Sequence, residues 1–164
     1  MSIGNVVEQL ELNHVGMGIR KVAQIVNFGD FTDGGGTTGT LILTKQIPAG
    51  SLVMCSKVTV KTGFAGDTTA VMDIGDGSDA DIFSQTTHNI FAAARNLMEA
   101  CDIASSGAGR GTVAISSDTS ITLTVTAGSD FGAITAGKML VEVFYLSTNV
   151  ELTDDQPTEI RLNN

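Results

Sequence analysis

Ser120-Ile121-Thr122-Leu123-Thr124-Val125-Thr126 alternates residue by residue, with Ile121, Leu123 and Val125 on one side and Thr122, Thr124 and Thr126 on the other. Successive side chains of a strand point to opposite faces. A two-residue period therefore predicts a strand with one face in a core and the other toward water. Residues 112–117 read as its hairpin partner across Asp118-Thr119. Farther along, residues 138–147 are apolar on both sides apart from Glu142, the pattern of a strand in the middle of a sheet.

Working back toward the start, residues 51–62 predict a long strand with Leu52, Met54, Val58 and Val60 on one face. The turn Pro48-Ala49-Gly50 precedes it and Ala65-Gly66-Asp67 follows, before a return strand at residues 69–74. Residues 19–28 and 40–46 are two further strands, separated by a loop with the run Gly34-Gly35-Gly36. One segment breaks the rhythm. Over residues 88–101, Ile90, Phe91, Ala94, Leu97, Met98 and Cys101 recur at helical spacing, so a short helix is expected there. Seven or eight strands at even spacing, without strand–helix–strand alternation, predict an all-β antiparallel sandwich of jelly-roll type. Residues 1–15 and 148–164 are read as terminal arms around a single domain at 16–147.

The totals narrow the function. The chain has 164 residues, 42% of them hydrophobic, which excludes intrinsic disorder. Charged residues are only 16%, against roughly 25% in ordinary globular proteins. A surface polar through Thr, Ser and Asn suits permanent protein contact, because a hydroxyl is easier to desolvate than an ion. The net charge of −9 and scattered basic residues argue against nucleic acid. No apolar run approaches the length of a membrane span, and no leader pattern is expected at the N-terminus. Cys55 and Cys101 sit in apolar surroundings and read as buried free thiols.

Chemistry is harder to find. Asp73, Asp76, Asp79 and Asp81 cluster on a glycine-containing loop, and Asp76, Asp79 and Asp81 are the weak candidates for a hard cation. Their spacing does not match a twelve-residue calcium loop, and Asp favours such turns for its own local hydrogen bonds. His14 and His88 lie in no nucleophile motif, and no serine sits in a Gly-x-Ser-x-Gly elbow. Aromatics are 5% with no Trp, which disfavours stacking platforms. No catalytic residue, cofactor or metal is assigned.

Two stretches carry a resemblance. Ile47-Pro48-Ala49-Gly50 leads into a strand, followed by Gly63-Phe64-Ala65-Gly66-Asp67-Thr68-Thr69 and Ile74-Gly75-Asp76-Gly77-Ser78-Asp79. Later, Ile134-Thr135-Ala136-Gly137-Lys138 opens the apolar strand. This order of turns and strands resembles virion structural proteins of tailed bacteriophages, above all capsid decoration (cement) proteins. The resemblance covers about half the chain and carries no catalytic residues. It implies a β-sandwich, commonly trimeric, that cements capsomers from outside or serves in the tail and fibre apparatus. The expected function is that of a homotrimeric cement subunit on the capsid surface of the virion, with itself and the major capsid protein as partners. The expected contact residues are Val6, Leu10 and Leu12 in the N-terminal arm and Val150, Leu152, Ile160 and Leu162 in the C-terminal arm. The alternatives are a receptor- or glycan-binding module at a fibre tip, or a β-sandwich hydrolase using His14 or His88.

Overall fold

A computed structural model describes residues 17–92, 95–101 and 115–148. Among the described residues nine strands follow one another: β1 (Met17–Asn27), β2 (Thr32–Asp33), β3 (Thr38–Ile42), β4 (Ser51–Ala65), β5 (Ala70–Gly75), β6 (His88–Asn89), β7 (Arg95–Ala100), β8 (Thr122–Ala127) and β9 (Ala136–Thr148). Two single 3-10 turns, Phe28–Asp30 and Phe131–Ala133, are the helical elements among the described residues. One sheet has the order β1-β9-β4-β7 and the other β2-β3-β8-β5-β6.

Setting aside the two-residue β2, the pairs β1 with β9, β3 with β8, β4 with β7 and β5 with β6 are all antiparallel. First pairs with last, and the nesting continues inward. This is a long hairpin folded at residues 76–87 and rolled up, with successive pairs falling in alternate sheets. The result is a jelly roll, the double-sheet winding the strand spacing called for.

Alternation then builds the core. In β9, Met139, Val141, Val143 and Tyr145 point inward; in β8, Leu123 and Val125 do the same. They meet Val22 and Val26 of β1, Val53, Val58 and Val60 of β4, and Met72 and Ile74 of β5 in one continuous cluster. The expected central strand is central: β9 is hydrogen-bonded to β1 on one side and β4 on the other. At one end of the roll Phe31 meets Phe64 edge-on at 5.8 Å and Phe131 at 6.0 Å. Along the rim, the Gln24 amide oxygen accepts from the Thr44 amide at 2.9 Å and its hydroxyl at 3.0 Å, tying β1 to the opposite layer.

The turns of the sequence motif have physical reasons. Gly66 takes φ +123, and a Cβ there would run into the Ala133 carbonyl. Asp67 beside it accepts from the Thr68, Ser129 and Asp130 amides and the Ser129 hydroxyl. Four donors favour the ionised form, so the Asp67 carboxyl is held well below the usual carboxylate range. The 66–69 and 128–130 turns are thereby clamped together.

Four expectations are corrected. Residues 88–101 form no helix where described: they supply β6 and β7, and β7 pairs with β4 from Cys55↔Ala100 to Val60↔Arg95. The open edge of β4 offers a row of hydrogen bonds, and that tertiary gain overrides a weak local periodicity. In β4 the inward residues are not one alternating set. Ser51 and Val53 face in, then Ser56, Val58 and Val60, while Leu52 is half-buried and Met54 exposed. A β-bulge between Val53 and Cys55 shifts the phase by one residue. The neighbours of β8 are β3 and β5. Ile115 instead exchanges backbone hydrogen bonds with Gly50 and Ser51, and Thr119 with Ile47. Finally, the strand expected at 40–46 runs earlier, as β3.

Candidate functional site

Among the described residues, the outer face of the four-stranded sheet gathers three of the exposed large hydrophobic side chains. It follows from the parity of β9: with Met139, Val141, Val143 and Tyr145 inside, Leu140, Glu142, Phe144 and Leu146 turn outward. The register sets Ile25 beside Leu140, Ala23 beside Glu142, Lys21 beside Phe144 and Ile19 beside Leu146. On the other flank Thr59, Lys57 and Cys55 lie beside Leu140, Glu142 and Phe144. Beyond them β7 places Met98 next to Lys57. Ile19, Ile25 and Met98 are 68%, 61% and 62% exposed. Large aliphatic side chains on a sheet's outward face mark a contact surface when they gather in one patch.

At the centre of this face stands one carboxylate. Glu142 is 7% exposed at its side chain, and its two oxygens are served by lysines from both flanking strands. Lys21 Nζ donates to Oε1 at 2.6 Å, and Lys57 Nζ lies 3.9 Å from Oε2. The Lys21 ammonium also sits 5.9 Å from the centre of the Phe144 ring. Two cations against one anion leave the patch net positive, on a chain whose net charge is −9. Both ammonium heads thus gather at Glu142.

The opposite sheet presents a different surface. Thr38, Thr40, Thr122, Thr124 and Thr126 occupy outward positions across β3 and β8 together with the exposed Ile42 opposite Thr122, and β5 adds Val71 opposite Thr126 and Asp73 opposite Thr124. Threonine hydroxyls predominate on this layer, and large apolar side chains on the other.

The acidic loop closes on itself. One Asp76 oxygen accepts from the Ser78 amide, the Ser78 hydroxyl and the Asp79 amide at 2.7–3.0 Å. The Asp79 carboxyl is pushed up by a side-chain hydrogen bond with Asp81, then by partial burial and by the charges of Asp81 and Asp76. Asp73 is pushed up by burial and then by the charge of Asp81. The Asp76 and Asp79 carboxyls are engaged with their own loop, and among the described residues no group of three His, Cys, Asp or Glu could hold a metal ion. Ile82 and Phe83 pin the loop into the core.

His88 is 2% exposed on β6 opposite Met72. Cys101 is buried and Cys55 half-buried; both are thiols, with Cys55 pushed up by burial. His14 and the expected contact residues Val6, Leu10, Leu12, Val150, Leu152, Ile160 and Leu162 lie outside the described residues. The sheet face itself was not assembled by sequence reading. Its one signal was Glu142, the single charge within the apolar run 139–146.

No protein-family model matches the chain, and no curated protein matches it. Among solved structures, one from a "Cyanophage Pam1 capsid asymmetric unit" is similar with a TM-score of 0.49 and 15% identity, over 80% of this chain and 86% of that one. A likeness of that size says nothing of what this chain binds.

Proposed function

We propose that the chain is a non-enzymatic structural protein of a tailed-phage virion that decorates and cements the capsid as a homotrimer. Its partners on this reading are other copies of itself and the major capsid protein, at the capsid surface. One observation carries the reading: a sheet face that gathers Ile19, Ile25, Leu140, Phe144, Leu146 and Met98 around the Lys21–Glu142–Lys57 cluster. A solitary soluble domain gains nothing from such a face, and a subunit in a permanent shell does. The low charge and hydroxyl-rich exterior agree with it, since many modest interfaces add up on a lattice. Jelly rolls serve in viral capsids and in lectins alike, so the winding supports the reading without selecting it.

The test is the mass of the full-length protein by sedimentation, together with co-sedimentation on capsids stripped of their decoration. Three copies per particle in solution and saturable capsid binding are expected. Removing residues 149–164, which spares Thr148 and its pairing with Met17, should leave the β-rich spectrum intact and weaken binding. A monomer that ignores capsids but binds host cells or sugars in a calcium-dependent way would transfer the protein to the fibre-tip alternative.

A further inference from the structure

We infer that the outer face of the β1-β9-β4-β7 sheet is the receiving surface for residues 149–164 of a neighbouring copy. This rests on the assembly reading above and names the contact through which it works.

Three observations converge. The first is charge. Residues 149–164 carry Glu151, Asp154, Asp155 and Glu159 against Arg161 alone, a net charge of −3 from four carboxylates and one guanidinium. The receiving face carries Lys21 and Lys57 against Glu142. A positive patch on an acidic protein is matched by the acidic segment of its own sequence. Complementary charge of this kind fixes register and hastens encounter more than it adds affinity.

The second is apolar pattern. Val150 and Leu152 are two residues apart, and so are Ile160 and Leu162. An extended chain turns each such pair to one side, which is the side the exposed Ile19, Ile25 and Met98 call for. The third is where the chain leaves. β9 ends at Thr148, paired with Met17, at the end of the very sheet that bears the face. The next sixteen residues, 149–164, span about 53 Å at roughly 3.3 Å each, against about 43 Å for the thirteen of β9. The segment is long enough to cross the whole face. It carries no Gly, and its first Pro is Pro157. Residues 150–153 alternate as a strand does, and the receiver is taken to be another copy.

The experiment uses the full-length protein in equal mixtures of unlabelled and 15N-labelled copies, with a photoreactive phenylalanine analogue in place of Leu152. Crosslinked peptides of mixed isotope mapping to residues 19–25, 96–98 or 138–146 are expected. Ile25→Glu and Met98→Glu, both at exposed positions, should each cut the crosslink yield and the assembled fraction at least fivefold while the β spectrum is unchanged. Lys57→Glu paired with Asp154→Lys and Asp155→Lys should restore what Lys57→Glu alone removes. Crosslinks confined to single-isotope species, crosslinks to another surface, or variants that assemble as the parent does would overturn the inference. The two readings fail separately. An assembled protein that binds capsids but crosslinks elsewhere sinks only this contact, whereas a monomer that ignores capsids sinks the assembly reading itself.

Discussion

Removing Lys21 is expected to destabilise the fold more than removing the carboxylate it serves. Glu142 is the enclosed partner, 7% exposed, while Lys21 is 52% exposed and free to swing into water. Lys21→Met keeps the aliphatic stem over the sheet but leaves Glu142 facing only Lys57, at 3.9 Å. Breaking a fully buried pair from one side costs about 3–5 kcal/mol, because the remaining charge is stranded. Half-exposure of Lys21 and the presence of Lys57 reduce that, so about 2 kcal/mol is expected. Glu142→Gln strands nothing: the amide oxygen still accepts from Lys21 and both ammonium groups hydrate, for a cost below about 1 kcal/mol. For a chain of this size that separates the two variants by at least roughly 3–4 °C in Tm, at about 3–4 °C per kcal/mol. Urea and thermal unfolding followed by far-ultraviolet circular dichroism, at one fixed protein concentration, measure both. The double variant should fall near Glu142→Gln alone, giving a coupling of about 2 kcal/mol. If Glu142→Gln proves the more damaging change, or Lys21→Met is neutral, the asymmetry of burial does not govern this cluster.

Further outcomes follow from the loops. The Asp67 clamp lowers its native pKa, so its stabilisation is complete above the unfolded value of roughly 3.9 and is lost as pH falls below that toward the native one. Asp67→Ala should therefore be less stable at pH 7 and show a shallower loss between pH 4 and 2, read as the thermal midpoint against pH. Asp73 and Asp79 act in the opposite sense. Their native pKa values are raised, so they contribute most at low pH and that contribution fades as pH rises through the raised values. Asp79→Asn should flatten that fade, seen as a smaller drop in midpoint between pH 4 and 7. Gly75→Ala places a methyl group against the Asp79 carbonyl and Ala80, and should cost about 1–3 kcal/mol in urea unfolding. A neutral Gly75→Ala would mean the acidic loop does not close on β5 as described.

The amino-acid sequence by itself determined the class of this fold. Ile121, Leu123 and Val125 alternate with threonines, and a period of two admits only a strand with one buried face. The doubly apolar run at 139–147 could only be satisfied between two other strands, and β9 lies between β1 and β4. Local stereochemistry suffices for such statements because each depends on one residue and its immediate neighbours. What β4 does at Met54 is different. An inserted residue reverses the phase of everything before it, and only the partner strand reveals that two residues face one. The same holds for Leu97 and Met98, adjacent in sequence, one packed against the core and the other on the outer face. Helical spacing was present in that segment, yet the unfilled hydrogen bonds along β4 decided its conformation. The contact face is wholly a tertiary product. Ile19, Lys57, Met98 and Glu142 come from four strands, and only the order β1-β9-β4-β7 lays them side by side, since strand pairing joins residues that chain distance keeps apart.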